Sequence, residues 1–274
     1  MQRIWSELEQ RRDVRVIVLT GDGERAFCVG ADMKNPSGSP TLKGVDYWAA
    51  ARPGGFGGIA LRETLNIPVI ARVNGYALGG GFEMVLGCDI VVACDDASFG
   101  LPEPLVGRMP LDGGMTLLQR QIPHRIAMGM LLTGQRISAK RALEIGLVNE
   151  VVPRAELDAA VTRWVDQILA CAPLSVQAIK QVVRATGSMP AAQAQALRPA
   201  GAGGGAAVRR RRRRGARLPG EAQAAVEGAL NSTPHTPREP TVSDRPRLGH
   251  LQPARQLARP RWLRCSIRAA RRPA

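Results

Sequence analysis

Near Arg198 the chain changes character, and that break limits where a packed domain can lie. Residues 198–274 hold 18 arginines, no lysine and four acids (Glu221, Glu227, Glu239 and Asp244), with six arginines in a row at Arg209–Arg214. The segment has no Phe or Tyr and one Ile, Ile267; Pro, Gly, Ala and Arg dominate it. So few apolar side chains cannot offset the cost of ordering a backbone. The expectation is therefore a disordered basic tail over 198–274. Its arginine-only basic content is what a shifted reading frame in a G+C-rich gene would give. The other 197 residues carry 20 basic and 19 acidic side chains, a charge of +1 against +14 for the tail. A body of that length can bury a sizeable core without disulfides or metals.

Within 1–197, short apolar runs alternate with helical patterns. Met1–Arg12 places Ile4, Trp5 and Leu8 on one helical face. Val14–Thr20 (VRVIVLT), Pro68–Val73, Ile90–Ala93, Ala97–Gly100 and Leu147–Val152 read as strands. Gly79–Cys88, Gly113–Gln121, Arg125–Thr133, Ser138–Glu144, Ala155–Ala170 and Leu174–Ala185 read as helices. Ser138 is a candidate N-cap and Gly146 a C-terminal stop. Residues 35–58, rich in Gly, Pro and Ser, read as a mobile loop. The alternation predicts an α/β domain with helices packed on a sheet.

Several function classes are disfavoured. The five cysteines (28, 88, 94, 171 and 265) are odd in number and form no CxxC pair, which points to a reducing compartment. Met1–Arg12 lacks the continuous apolar core of a signal peptide, and no run approaches the ~20 apolar residues of a membrane helix. A cytoplasmic protein without membrane attachment is expected. The arginine block would attract phosphate backbones non-specifically. Base-stacking aromatics are missing from the tail apart from Trp262, so no specific nucleic-acid partner is expected. Of three histidines, His124 stands alone and His235 and His250 lie in the tail, so no metal site is expected.

Three segments carry candidate chemistry. In Asn74–Glu83 (NGYALGGGFE) a strand ends and a helix opens on Gly79-Gly80-Gly81. The first amides of a helix lack internal partners, and glycines let a substrate approach them, which suits a developing oxyanion. Glu83 lies on about the same face. The plainer reading is a glycine turn with an acid in the first helical turn. In Phe27–Lys34 (FCVGADMK), Gly30-Ala31 could offer a second bare amide. Asp32 there is otherwise a helix cap and Lys34 a solvated charge. In Ser98–Asp112, Glu103 sits between Pro102 and Pro104 near Phe99, Leu101 and Leu105. That apolar setting should raise its pKa and suit a general acid. Alone, it is also compatible with a surface carboxylate.

Taken together, the order of these segments and the 20-residue spacing of Glu83 and Glu103 resemble the crotonase superfamily, which includes the enoyl-CoA hydratases and isomerases. The resemblance runs from about Val14 to about Met189 and includes LLTGQRISAKRALEIGLVNEVVP at Leu131–Pro153. GGFGG (Gly54–Gly58), GGGFE and Met189-Pro190 are most similar to carnitinyl-CoA dehydratases and related bacterial hydratases. The resemblance implies a spiral of ββα units with trailing helices, assembled as a homo-trimer or hexamer. It implies an acyl-CoA substrate and no cofactor beyond the coenzyme A that the substrate carries. The oxyanion amides would be Ala31 and Gly80. Glu83 would activate water, and Glu103 would move the α-proton. Gly79, Asp32, Lys34 and Leu111 would line the substrate, with Lys34 near the CoA nucleotide and Leu111 narrowing the water or acyl pocket.

The sequence departs from that family at both ends. The tens of residues that family members carry before Met1 are absent, as are the helices expected after about Ala191–Arg198. The expected organisation is an N-terminally truncated, partial acyl-CoA-binding domain over 1–197 followed by the tail. Enoyl-CoA isomerisation on the same scaffold and an inactive truncated member are the alternative readings.

Overall fold

The computed structural model describes residues 1–31, 53–197, 251–253 and 265–270. Two sheets organise it. Strand β1 (Val16–Gly21) is buried at all six positions, as the unbroken run VIVLTG requires of a strand covered on both faces. It pairs in parallel with β3 (Val69–Val73), which pairs in parallel with β5 (Ile90–Cys94), which pairs with β8 (Glu150–Val152). A second sheet holds the short strands β2 (Ala26–Cys28), β4 (Tyr76–Leu78), β6 (Ser98–Gly100) and the two-residue β7 (Ile137–Ser138). Each of β1, β3 and β5 thus hands the chain to its short successor in the other sheet. The repeated strand pair turns the backbone into a spiral, and all three short strands deliver the chain toward one region.

The helices are α1 (Gln2–Glu9), α2 (Gly80–Leu86), α3 (Gly114–Gln121), α4 (His124–Thr133), α5 (Ala139–Glu144), α6 (Leu157–Ala170), α7 (Pro173–Thr186) and α8 (Ala191–Ala196). The Ser138 hydroxyl accepts from the Arg141 amide as the N-cap of α5. Trp5 and Leu8 of α1 enter the core. Lys180 of α7 is buried: its ammonium donates to Ile67 O at 2.8 Å and to Asp89 Oδ2 at 2.5 Å. Asp89 Oδ2 also accepts the Val69 amide, so one ion pair ties α7 to the start of β3. Burial pulls the Lys180 pKa down against the attraction of Asp89.

Two expectations need correction. The first concerns the tail. Cys265–Ala270 forms strand β10, antiparallel to β1 from Val16↔Ala270 to Gly21↔Cys265, and Leu251–Pro253 forms β9 beside it. Ile267, Ala269 and Ala270 are buried and Arg268 is exposed. A segment too polar to build a core can still extend one. The open edge of β1 offers backbone donors and acceptors that must be paired, and a strand needs only a few inward apolar side chains to fit there. The rest of 198–274 lies outside the described residues. The second concerns the loop over 35–58, whose last part is ordered. Gly54 bridges Leu61, a 3-10 turn spans Phe56–Gly58, and the Trp5 indole donates to Gly57 O at 2.8 Å.

Candidate active site

The site is assembled where β2, β4 and β6 end. Asn74, buried after β3, receives the Gly21 amide on Oδ1 at 3.0 Å and donates from Nδ2 to Gly23 O at 2.6 Å. It therefore locks the end of β1 to the end of β3. Arg154 braces the same corner, donating to Asn74 O at 2.9 Å and Glu24 O at 2.8 Å while pairing with Asp96. The Gly79 amide donates to Gly100 O at 2.9 Å, fixing the approach to α2 against the end of β6.

Around the start of α2 the glycines are a steric requirement. Gly79 has φ 55, and a β-carbon there would stand 2.9 Å from Glu103 Oε1. One on Gly80 would stand 2.6 Å from the Phe56 ring, and one on Gly81 only 2.0 Å from Cys28 O. A β-carbon on Gly30 would lie 3.3 Å from the Gly80 nitrogen, so the Gly30-Ala31 turn abuts the helix start. Gly80 is the first residue of α2, and its amide has no acceptor among the described residues.

Glu83, in the first turn of α2, is 3 % exposed. Its Oε1 accepts two backbone amides, from Asp112 at 2.8 Å and Gly114 at 2.9 Å. No hydrogen bond within the described residues uses Oε2. Burial is the main cause that raises its pKa to about 7. The Gly114 hydrogen bond works against that rise, and the charges of Asp112 and Glu103 add to it. Glu103 opens a 3-10 turn, Glu103–Val106, and burial raises its pKa too. Its Oε2 is buried without a hydrogen-bond partner. Two carboxyls with raised pKa values, one firmly oriented, can hold and exchange protons.

The structure brings Glu83, Glu103, Gly79, Gly80 and the Gly30-Ala31 turn together. Ala31 itself is exposed, and Leu111 is half-buried in the turn before Asp112. Asp32 and Lys34 lie outside the described residues. Phe99 and Leu101 are fully buried as expected, but Leu105 is 69 % exposed and packs toward Gly134 rather than contributing to the setting of Glu103. The Asp112 and Gly114 amides and the Phe56 ring went unread in the sequence. The glycines of GGFGG and of Asp112-Gly113-Gly114 were the available signal. Among the described residues no cluster of three metal-ligating side chains occurs, and no helix is long and apolar enough to cross a membrane.

Paired strands feeding two sheets, with two carboxyls at a glycine-rich helix start, define a crotonase-type α/β fold. Residues 1–200 match the family model for enoyl-CoA hydratase/isomerase, and the chain belongs to that family. It is 40% identical over 189 residues to carnitinyl-CoA dehydratase of Proteus mirabilis (strain HI4320), covering 69% of this chain and 70% of that protein. The carnitinyl-CoA dehydratase of Salmonella typhi is 42% identical over 178 residues, 65% of this chain and 66% of its own. Among solved structures, enoyl-CoA hydratase from Bacillus anthracis superposes with a TM-score of 0.65 at 34% identity, covering 71% of this chain and 74% of that one. Carnitinyl-CoA dehydratase from Mycobacterium avium 104 superposes with a TM-score of 0.59 at 38% identity, covering 66% and 69%.

Proposed function

We propose that the chain is an enoyl-CoA hydratase or hydroxyacyl-CoA dehydratase, adding water reversibly to an α,β-unsaturated acyl-CoA thioester. The observation that carries this reading is the pairing of Glu83, with Oε1 fixed by two amides, and Glu103, with Oε1 against Gly79. Glu83 takes a proton from water through Oε2 as the oxygen adds to the β-carbon. Glu103, whose pKa burial raises, gives its proton to the α-carbon. Between those events charge develops on the thioester oxygen, where the Gly80 and Ala31 amides receive it. Losing one such donor typically costs about 3–4 kcal/mol. A base with a pKa of about 7 suits this work at neutral pH. The carnitinyl-CoA dehydratases among the relatives support a short, substituted acyl group as substrate. Coenzyme A arrives as part of that substrate, and assembly as a trimer or hexamer is part of the proposal.

Purified full-length chain is offered crotonyl-CoA and, separately, 3-enoyl-CoA. Loss of the enoyl-thioester absorbance with crotonyl-CoA supports hydration. Conversion of 3-enoyl-CoA alone replaces the hydratase reading by isomerisation.

A further inference from the structure

Arg154 takes no part in the proton transfers, yet the three short strands that lead to the site all begin at it. It follows β8 and Pro153 and opens the 3-10 turn Arg154–Glu156. Its Nη1 donates to Glu24 O at 2.8 Å and to Asn74 O at 2.9 Å, and its Nη2 donates to Asp96 Oδ2 at 2.5 Å. Each of those residues stands two positions before a strand: Glu24 before β2, Asn74 before β4 and Asp96 before β6. Past the far ends of the strands lie the groups of the site. β2 leads to Gly30-Ala31, β4 to Gly79-Gly80 and β6 to Glu103. A three-residue strand is about 10 Å long. One guanidinium therefore gathers the three legs at one end, and the site groups sit at the other.

Sheet pairing alone fixes the legs unequally. β4 and β6 pair without a break from Tyr76↔Ser98 to Leu78↔Gly100. β2 and β4 share only the pairs Ala26↔Tyr76 and Cys28↔Ala77, with a register shift between them. The leg that carries Ala31 is thus the one the sheet holds least. The Asn74 side chain ties the turn before β2 at Gly21 and Gly23, and Arg154 ties it again at Glu24. A guanidinium suits that task, being planar and always charged, with donors in fixed directions. Its hydrogen bond keeps the Asp96 carboxyl below the ordinary pKa, so the fork has a charged partner at neutral pH. The Arg154 side chain is 34 % exposed, so its removal opens no cavity in the core.

We infer that Arg154 is a positioning residue for the reaction: by clamping the starts of β2, β4 and β6 it sets the spacing of the Ala31 and Gly80 amides and of Glu103. The assignment rests on the acyl-CoA reading above, so it is tested on the full chain with a ligand that is not turned over. Acetoacetyl-CoA releases an α-proton to solvent and leaves an enolate, whose charge is shared with the thioester oxygen and which absorbs in the near ultraviolet. Two aligned amides favour that form. Titrating the bound ligand therefore reads their alignment without hydration. Wild type should lower the enolisation pKa of the bound ligand below that of the free one. Arg154→Met keeps the apolar stem and loses all three hydrogen bonds. It should forfeit about tenfold of the enolate stabilisation, while the dissociation constant of butyryl-CoA stays within about threefold. Arg154→Lys, which keeps the charge without the planar fork, should fall between, and it decides if Arg154→Met does not fold. Arg163→Gln, which breaks the pair with Glu150 and bridges no legs, should change neither value. An enolisation pKa unchanged in the Arg154 variants overturns the assignment, as does an equal effect in Arg163→Gln. So does a loss of butyryl-CoA affinity as large as the loss of enolate stabilisation, which general loosening of the fold would give. A wild type that leaves the pKa unshifted overturns it together with the oxyanion reading. A shift present in wild type and lost in Arg154→Met, with crotonyl-CoA left unhydrated, upholds the assignment and defeats the hydratase reading instead.

Discussion

Replacing Glu83 by Gln should make the protein more stable at alkaline pH while leaving acid stability nearly unchanged. The Glu83 pKa lies at about 7 in the fold against an ordinary 4.5. Below 4.5 the folded and unfolded states are both protonated, and burial of the neutral acid carries no charge penalty. Between 4.5 and 7 the unfolded chain releases its proton while the folded chain retains it, so stability falls as pH rises. Above 7 the loss is complete, and at ~1.4 kcal/mol per pKa unit it amounts to about 3 kcal/mol. A glutamine has no charge to desolvate, and its carbonyl oxygen can still accept the Asp112 and Gly114 amides at the Oε1 position. Urea unfolding of wild type and Glu83→Gln at pH 5 and pH 8.5 reads the effect directly. The variant should gain about 3 kcal/mol on wild type at pH 8.5 and under about 1 kcal/mol at pH 5. An equal difference at both pH values, or a loss at pH 8.5, would refute burial as the cause of the raised pKa.

Gly80→Ala places a methyl group 2.6 Å from the Phe56 ring. The ring or the helix start must then shift, which should cost about 1–3 kcal/mol in unfolding experiments and about a hundredfold in turnover. Ending the chain after Leu197 removes β10 and leaves the β1 edge unpaired. Thermal unfolding should show a loss of about 3 kcal/mol, much of it from Ile267, and light scattering should show edge-driven association. An unchanged melting temperature with a monodisperse sample would mean that β10 contributes nothing to the sheet.

The parts of the fold legible in the sequence were those fixed by local pattern. VRVIVLT could only be a buried strand, Asn74-Gly75 could only end one, and Ser138 marked the start of α5. Glu83 and Glu103 were visible because each stands beside residues with strong backbone preferences, three glycines in one case and two prolines in the other. What escaped was non-local. Three-residue strands such as β2 and β4 are too short to show a period, and Tyr76 of β4 is exposed. Lys180 looks like any charge on an amphipathic helix until Asp89 and Ile67 close around it. The GGFGG turn reads as loose chain because the groups that hold it, Trp5 and Met84, lie far off in sequence. Strand β10 escaped because composition reports whether a segment can build a core, not whether a ready-made sheet edge can recruit it.

The division of labour between the two carboxyls is tested most directly by crotonyl-CoA hydration rates of wild type, Glu83→Gln and Glu103→Gln, each shown folded by circular dichroism. The account predicts turnover by wild type and a fall of about 10²–10⁴-fold in each variant, since each removes one proton-transfer group. A folded Glu103→Gln or Glu83→Gln protein that hydrates crotonyl-CoA at the wild-type rate would contradict it.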